Sequence, residues 1–318
     1  RTGRTKRRLG ERKCMAYTEA SFDEASDIIA AAGFSDLLGI EKLSGGWGNS
    51  NYALTLGDGQ KLVLKIWDGR TIEEVEYLLS VTTYLSGNGV PTPSPIAFED
   101  GGLMKIREGL AWTILPFVEG QWMEPAPSSL HSLGRAQARL HGVTPPDIMG
   151  SDFSMGHKLF EEMFSIADER GEWTDFLTML KSESESLRGR FDGLPRGVIH
   201  GDLFPDNVLE SEEGAVSILD FEEVCHDFLA FDLVMTFVGF GWEDGEPVAE
   251  RWESILDGYQ SIRRLGDDEL DALPDLHRLA TLSIAAWRYW QFVINMPGTE
   301  HTDRYLEMVN RLDKRLPF

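Results

Sequence analysis

Three oxygen-bearing side chains stand in an order that suits phosphoryl transfer. Val198-Ile199-His200-Gly201-Asp202-Leu203-Phe204-Pro205-Asp206-Asn207 runs from an apolar pair into His-x-Asp, with an asparagine five residues beyond that aspartate. A second apolar run, Ile218-Leu219, then delivers Asp220-Phe221. Asp202 can accept the proton of an attacking hydroxyl. Asn207 can turn back toward a magnesium ion, and Asp220, after the next strand, can bridge that ion to the phosphates of ATP. Oxygen ligands from two short turns suit a hard cation that keeps part of its water shell.

Other groups fall into place around these three. His200 and Asp232 read as a supporting pair, with His200 orienting the loop and Asp232 holding its backbone. Upstream, Gly45-Gly46-Trp47-Gly48-Asn49-Ser50 is a glycine-rich turn. Gly46 and Gly48 let backbone N–H groups approach phosphate oxygens, and Ser50 adds a hydroxyl donor. One hairpin later Lys65 lies among apolar neighbours in Leu62-Val63-Leu64-Lys65-Ile66, where a charge needs a partner. Gripping phosphates while pairing with a helix carboxylate would meet that need; Glu74 is the first choice of partner and Glu73 the second. Lys61 shares the parity of Lys65, which also fits an exposed strand face. Glu222, Glu223 and Asp227 lie just past the metal aspartate, where they can hold a substrate ammonium. Only eleven residues separate Asp220 from Asp232, with no Ala-Pro-Glu. A long peptide-supporting segment is therefore absent, and the expected acceptor is a small molecule, walled by 150–193.

Local patterns say which elements position these groups. Ser21 with Glu24 three residues later is a capping box that opens a helix ending near Gly33. Strands are expected at 40–43, 51–56 and 61–66, with Gly57-Asp58-Gly59 as the turn of the latter pair. A helix follows at 71–85, a stiff Pro-rich connector at 90–95, and strands at 102–106 and 111–117. Beyond Glu119-Gly120 everything but two strands of the catalytic region reads as helical: 127–141, 159–170, 176–191, 228–240, 247–259, 267–273 and 276–294. The expected fold is α+β and bilobal. Residues 1–14 are a basic, disordered tail, 15–118 a nucleotide-binding lobe of antiparallel sheet with one helix, and 119–318 a larger α-helical lobe with catalysis and substrate binding. Ligands often lie between two such bodies.

Composition restricts the partners. The chain has 318 residues, 42% of them hydrophobic, enough for a real core. Residues 1–13 hold seven Lys or Arg against one acid, so the rest is more acidic still than the net charge of −23. Such a surface repels nucleic acid and anionic membrane, and no apolar run approaches a membrane span. The expected partner is a small-molecule substrate, with a monomer or homodimer as the assembly. Two cysteines, Cys14 and Cys225, make no disulfide framework, and Cys225 reads as a small buried residue. A cytoplasmic setting follows, or an organelle if the basic segment is the remnant of a transit peptide.

Leu194 to Val208, Leu219-Asp220-Phe221 and Cys225-His226-Asp227-Phe228-Leu229-Ala230-Phe231-Asp232-Leu233 together resemble the aminoglycoside phosphotransferase and choline kinase-like superfamily. Within it they are most similar to the bacterial-type homoserine kinases. Asn49-Ser50-Asn51-Tyr52, Gly89-Val90-Pro91-Thr92-Pro93, Pro116-Phe117-Val118-Glu119-Gly120 and Ala286-Trp287-Arg288-Tyr289 extend the likeness over nearly all of 20–318. The resemblance implies a protein-kinase-like fold, ATP with Mg2+, and phosphorylation of the homoserine hydroxyl in threonine biosynthesis. By position it makes Asp202 the base, Asn207 and Asp220 the metal ligands, and Lys65 with Glu74 the phosphate grip. The backbone of Pro116 to Val118 would meet adenine, and Arg288 would face the substrate carboxylate. Glu222-Glu223 departs from the bulkier aromatic residues of those kinases. Two extra negative charges suit a more cationic acceptor: hydroxylysine, choline, ethanolamine or an aminoglycoside. A non-catalytic nucleotide-binding scaffold is the reading from another class, and the intact set Lys65, Asp202, Asn207 and Asp220 argues against it.

Overall fold

The computed structural model describes residues 17–43, 48–151 and 153–318, so the basic tail 1–14 and Gly46 lie outside the described residues. The chain divides into two compact units. Unit 1 takes in residues up to Ser80, Ser94–Phe117 and Val293–Gly298; unit 2 takes in Val81–Pro93, Val118–Phe292 and Thr299–Phe318. The main division at Phe117/Val118 lies one residue from the expected 118/119. The connector up to Pro93 and the second half of the preceding helix go with unit 2, and Ser94 onward returns to unit 1.

Unit 1 is an antiparallel sheet of five strands, β1 (Leu37–Lys42), β2 (Ser50–Leu56), β3 (Lys61–Trp67), β4 (Lys105–Arg107) and β5 (Leu110–Pro116), in the order β1-β2-β3-β5-β4. Period-two alternation puts Tyr52, Leu54 and Leu56 of β2 and Leu62, Leu64 and Ile66 of β3 into one core. Helix α1 (Phe22–Ala31) buries Ala25, Ile28 and Ile29 in the same core. Its N-terminus carries the expected capping box of Ser21 and Glu24. Helix α2 (Ile72–Gly87) begins in unit 1.

Unit 2 is built round α6 (Leu229–Phe240), buried at eleven of its twelve positions. The other helices are α3 (Pro127–His141), α4 (His157–Arg170), α5 (Asp175–Leu187), α7 (Ala249–Gln260), α8 (Asp267–Tyr289) and α9 (Arg304–Val309). Arg278 of α8 grips Glu183 of α5 through two bonds of 2.5 and 2.7 Å. Among the described residues no helix is long and apolar enough to cross a membrane.

Two expectations fail here for physical reasons. The break foreseen at Pro274 is absent. Pro274 lies inside one continuous helix, where burial of Leu273, Leu276 and the residues beyond overrides the proline penalty. A π-helical segment, Trp290–Asn295, then follows α8. The catalytic region also holds more than two strands: β6 (Gln121–Trp122), β7 (Arg196–Ile199), β8 (Val208–Glu210), β9 (Val216–Ile218) and β10 (Cys225–Phe228), with a small hairpin of β11 (Trp242–Glu243) and β12 (Glu246–Pro247) further on. Strands of two to four residues are too short for alternation to show.

Candidate active site

The short strands place the candidate catalytic groups. β7 pairs antiparallel with β10, Ile199 opposite Cys225 and Arg196 opposite Phe228. The chain leaves β7 at Ile199, passes through His200-Gly201-Asp202 and a 3₁₀ turn (Pro205–Asn207), and enters the β8–β9 hairpin. Leu219 N–H donates to the Asn207 carbonyl at 2.8 Å, so Asp220 emerges beside Asn207.

Inside this frame the Asn207 side-chain amide donates to the Asp202 carbonyl at 2.7 Å and to Asp202 Oδ2 at 3.2 Å, which turns Asn207 Oδ1 away from those bonds. Asp220 is exposed and holds a left-handed backbone, φ +59°, uncommon outside glycine and typical of functional turns. The protein packed round the half-buried Asp202 carboxyl raises its pKa well above the usual range, and Glu223, Asp206 and Asp220 push it the same way. Among the described residues no three His, Cys, Asp or Glu side chains form a metal cage. An amide oxygen and a carboxylate from adjacent turns fit a hard divalent cation.

The loop is fastened from behind by Asp232 of α6. Its Oδ1 accepts Gly201 N–H at 2.7 Å, and its Oδ2 accepts His200 N–H at 3.2 Å, Gln137 Nε2 at 2.9 Å and His141 Nε2 at 2.9 Å. Burial alone would raise Asp232; the hydrogen bond from His141, with that from Gln137, outweighs it and holds the carboxyl below its ordinary value. His200 is fully buried and burial lowers its pKa. Its Nε2–H donates to the Leu219 carbonyl at 2.8 Å and its Nδ1 accepts Asp202 N–H at 3.2 Å, which ties the Asp202 turn to the Asp220 turn. Gly201 has φ +82°, and a Cβ there would stand 2.9 Å from Phe153 and 3.0 Å from the Glu223 carbonyl, so the position needs glycine.

In unit 2 the structure therefore gathers Asp202, Asn207, Asp220, His200 and Asp232. Glu223 is near enough to act on Asp202, and the Ser154 hydroxyl donates to it. Glu222 beside it is half-buried. The other two groups assigned to the substrate are committed elsewhere. Asp227 pairs with Arg196 at 3.2 Å and accepts Phe228 N–H at 2.8 Å, while burial raises its pKa. Arg288 is held by Glu307 at 2.8 Å and by the Arg304 carbonyl at 3.1 Å.

In unit 1, Lys65 lies on the sheet face opposite the apolar core, yet only 8% exposed, with its ammonium 4.0 Å over the Trp67 ring. The expected pairing with Glu74 is not formed. Glu74 is exposed and accepts Thr71 N–H at 2.8 Å, while Thr71 Oγ1 accepts Glu74 N–H at 3.2 Å. Thr71-x-x-Glu74 is thus a second capping box, opening α2, and that local bond takes the carboxylate. The Ser50 hydroxyl likewise donates to Asp68 at 2.7 Å. Gly48 has φ +109°, Pro116 ends β5, and Val118 begins the next stretch of unit 2.

Sequence reasoning missed Gln137, His141 and Tyr259. Gln137 and His141 continue the buried stripe of Leu130, Leu133 and Leu140 on α3, and two polar residues in stripe positions were the available signal.

An antiparallel five-stranded sheet, followed by a helical unit carrying His-Gly-Asp, Asn and Asp-Phe on adjacent turns, is an α+β fold of the protein-kinase type. Residues 39–265 match the model of the phosphotransferase enzyme family. A homoserine kinase of Nitrobacter winogradskyi is 31% identical over 297 residues, 89% of this chain and 88% of the relative. A homoserine kinase of Paramagnetospirillum magneticum is 30% identical over 296 residues, 89% and 90% of the two chains. The solved structure of an amicoumacin kinase in complex with AMP-PNP and Ca2+ superposes with a TM-score of 0.70 at 18% identity, covering 93% of this chain and 96% of that one. The chain belongs to the phosphotransferase enzyme family. It is an enzyme that transfers a phosphoryl group to a hydroxyl.

Proposed function

We propose that the acceptor is L-homoserine, phosphorylated on its side-chain hydroxyl with ATP and magnesium, the step that supplies O-phosphohomoserine to threonine biosynthesis. The observation that carries the reaction is the placement of the Asp202 carboxyl against Asn207, with Asp220 on the adjoining turn. The acceptor oxygen forms the new O–P bond to the γ-phosphorus, its proton passes to Asp202, and ADP leaves. Asn207 and Asp220 would hold magnesium, which neutralises phosphate charge when bound. Lys65 would grip the phosphates beside the Gly46–Gly48 turn, and the backbone of Pro116 and Val118 would meet adenine. Homoserine itself rests on likeness to relatives bearing that name over about nine-tenths of both chains.

One observation favours a second acceptor class. Glu222 and Glu223 follow Asp220-Phe221, and Glu223 reaches Asp202 electrostatically. An acceptor with an extra ammonium would neutralise that charge.

Both readings are tested by steady-state ADP release with homoserine, hydroxylysine, choline, ethanolamine and kanamycin. Homoserine should lead in kcat/KM by roughly tenfold or more; a lead for hydroxylysine, choline or kanamycin would replace it. Asp202→Asn should lower kcat by about a thousandfold or more while ATP affinity survives. Near-normal turnover in that variant would remove Asp202 as the base.

A further inference from the structure

We propose that Tyr259 is a positioning residue for phosphoryl transfer: its hydroxyl fixes the tautomer of His141, and His141 in that form fixes the Asp232 carboxylate that holds the catalytic loop. The inference rests on the kinase reading above and adds a residue that never meets substrate.

The construction starts from two glycines. A Cβ on Gly134 of α3 would stand 2.2 Å from the Ile255 carbonyl oxygen, and one on Gly258 of α7 would stand 2.0 Å from the His131 carbonyl oxygen. The two helices therefore approach backbone to backbone, at a distance that only glycine permits on each side. Tyr259, next to Gly258, is fully buried and is thereby set against the last residue of α3, with its hydroxyl 2.6 Å from His141 Nδ1. The opposite edge of that imidazole is the one bonded to Asp232.

Counting hydrogens fixes the directions. Arg263 Nη1 donates to the Tyr259 oxygen at 3.2 Å, while its Nη2 donates to both oxygens of the buried Glu269 at 2.9 and 3.0 Å. Tyr259 has one hydrogen of its own, and with Arg263 donating to its oxygen that hydrogen goes to His141 Nδ1. The imidazole proton then sits on Nε2 and donates to Asp232 Oδ2. Asp232, an acceptor only, takes this bond together with those from Gln137, His200 and Gly201. Along Glu269–Arg263–Tyr259–His141–Asp232–loop backbone each bond then joins one donor to one acceptor, while the amide oxygen of Gln137 beside it is buried without a partner. The other tautomer would turn a ring lone pair toward the carboxylate and set two hydrogens against each other at Nδ1. A doubly protonated ring would leave the tyrosine hydrogen without an acceptor in this chain. Burial also pushes the Tyr259 hydroxyl up, which keeps it a donor.

Tyr259→Phe keeps the ring and deletes the donor. In this variant kcat should fall roughly tenfold, the scale of one buried hydrogen bond, with KM for ATP and acceptor within about twofold. Native-state amide exchange at His200 and Gly201 should quicken, while the amides of α6 keep their protection. His141→Gln supplies a side-chain N–H for Asp232 without a tautomer to choose, so adding Tyr259→Phe to it should cost less than about twofold further in kcat. Nitrogen chemical shifts of His141 in the unaltered protein should show Nε2 protonated and Nδ1 bare. An equal loss in both backgrounds, a change in KM alone, unchanged exchange at His200 and Gly201, or a proton on Nδ1 would each overturn the proposal. Absence of turnover with every acceptor would count against the kinase reading instead, and the exchange and nitrogen measurements would still decide the link from Tyr259 to the loop.

Discussion

His141 and His277 are both buried, both on helices of unit 2, and differently employed. Each His141 nitrogen has a partner, at 2.6 and 2.9 Å. His277 has Thr281 Oγ1 3.5 Å from Nδ1 and no hydrogen-bond partner for Nε2 among the described residues. Its surroundings are rings instead: Trp242 stacked at 5.8 Å, with Phe237 and Phe318 each at 5.9 Å. Trp242 Nε1 and Arg311 Nε in the same cluster are also unpartnered. Desolvating an imidazole costs free energy in both places. Around His141 matched bonds return that cost and, in doing so, fasten the loop that bears Asp202. Around His277 the ring serves as a flat packing body and the cost stays as a liability. A buried polar group informs about function through where its partners lead, and burial alone does not.

The largest expected effect lies at the centre of the matched cluster. Asp232→Asn keeps the shape but replaces a four-bond acceptor by an amide whose NH2 faces other donors. Stability should drop by about 3 kcal/mol, as when one partner of a buried charged network is removed, and kcat should fall by roughly a hundredfold or more. Urea unfolding and single-turnover kinetics measure the two losses. A kcat within tenfold of the unaltered enzyme would mean that the loop holds its shape without this carboxylate, and the contrast with His277 would lose its functional half.

A smaller effect comes from the helix crossing that brings His141 to Tyr259. Gly258→Ala drives a methyl into the His131 carbonyl, 2.0 Å away, and helix backbone cannot yield as a side-chain tip can. A loss of about 2 kcal/mol is expected from overpacking, with kcat falling as the His141–Tyr259 bond stretches. Calorimetry and turnover check both. A stable variant with reduced kcat would separate loop positioning from folding, and a stable, fully active one would show that the crossing can spread freely.

These contrasts mark what could be read along the chain. The spacing of Asp202, Asn207 and Asp220 was legible because short turns carry those groups, and a local motif needs no long-range folding to be recognised. The capping box at Ser21 and Glu24 was equally local. The one at Thr71 and Glu74 was just as legible, yet the demand for a Lys65 partner drew Glu74 away from it. Tyr259 lies 118 residues from His141, and nothing in the neighbourhood of either announces the other. Nothing in the sequence around His277 or His141 distinguishes the two, since partner count is a property of tertiary packing. Asp227 and Arg288 look available by position, and only the fold shows them occupied by Arg196 and Glu307.

The smallest effect tests the unmatched half of the comparison by pH. Burial, with the charge of Arg311 adding to it, depresses His277 from an ordinary 6.5 to about 3. The unfolded chain binds this proton below about pH 6.5 and the folded one does not, so stability is whole above that pH and is lost as pH falls toward 3. At pH 5.5 the loss from this residue is about 1.4 kcal/mol, growing by nearly as much again for each further unit toward pH 3. His200, also depressed by burial, adds to the acid loss of the whole protein, so the comparison must be made between variants. His277→Phe removes the titrating ring and leaves an aromatic body among Trp242, Phe237 and Phe318. Stability at pH 7.5 should stay within about 1 kcal/mol, because an apolar ring leaves no orphaned nitrogen, and kcat should be unchanged. Urea unfolding of both proteins from pH 7.5 to 5 should show the gap between them shifting in favour of the variant as acid is added. Parallel curves would mean that His277 gains a proton acceptor on acidification and belongs with His141 after all.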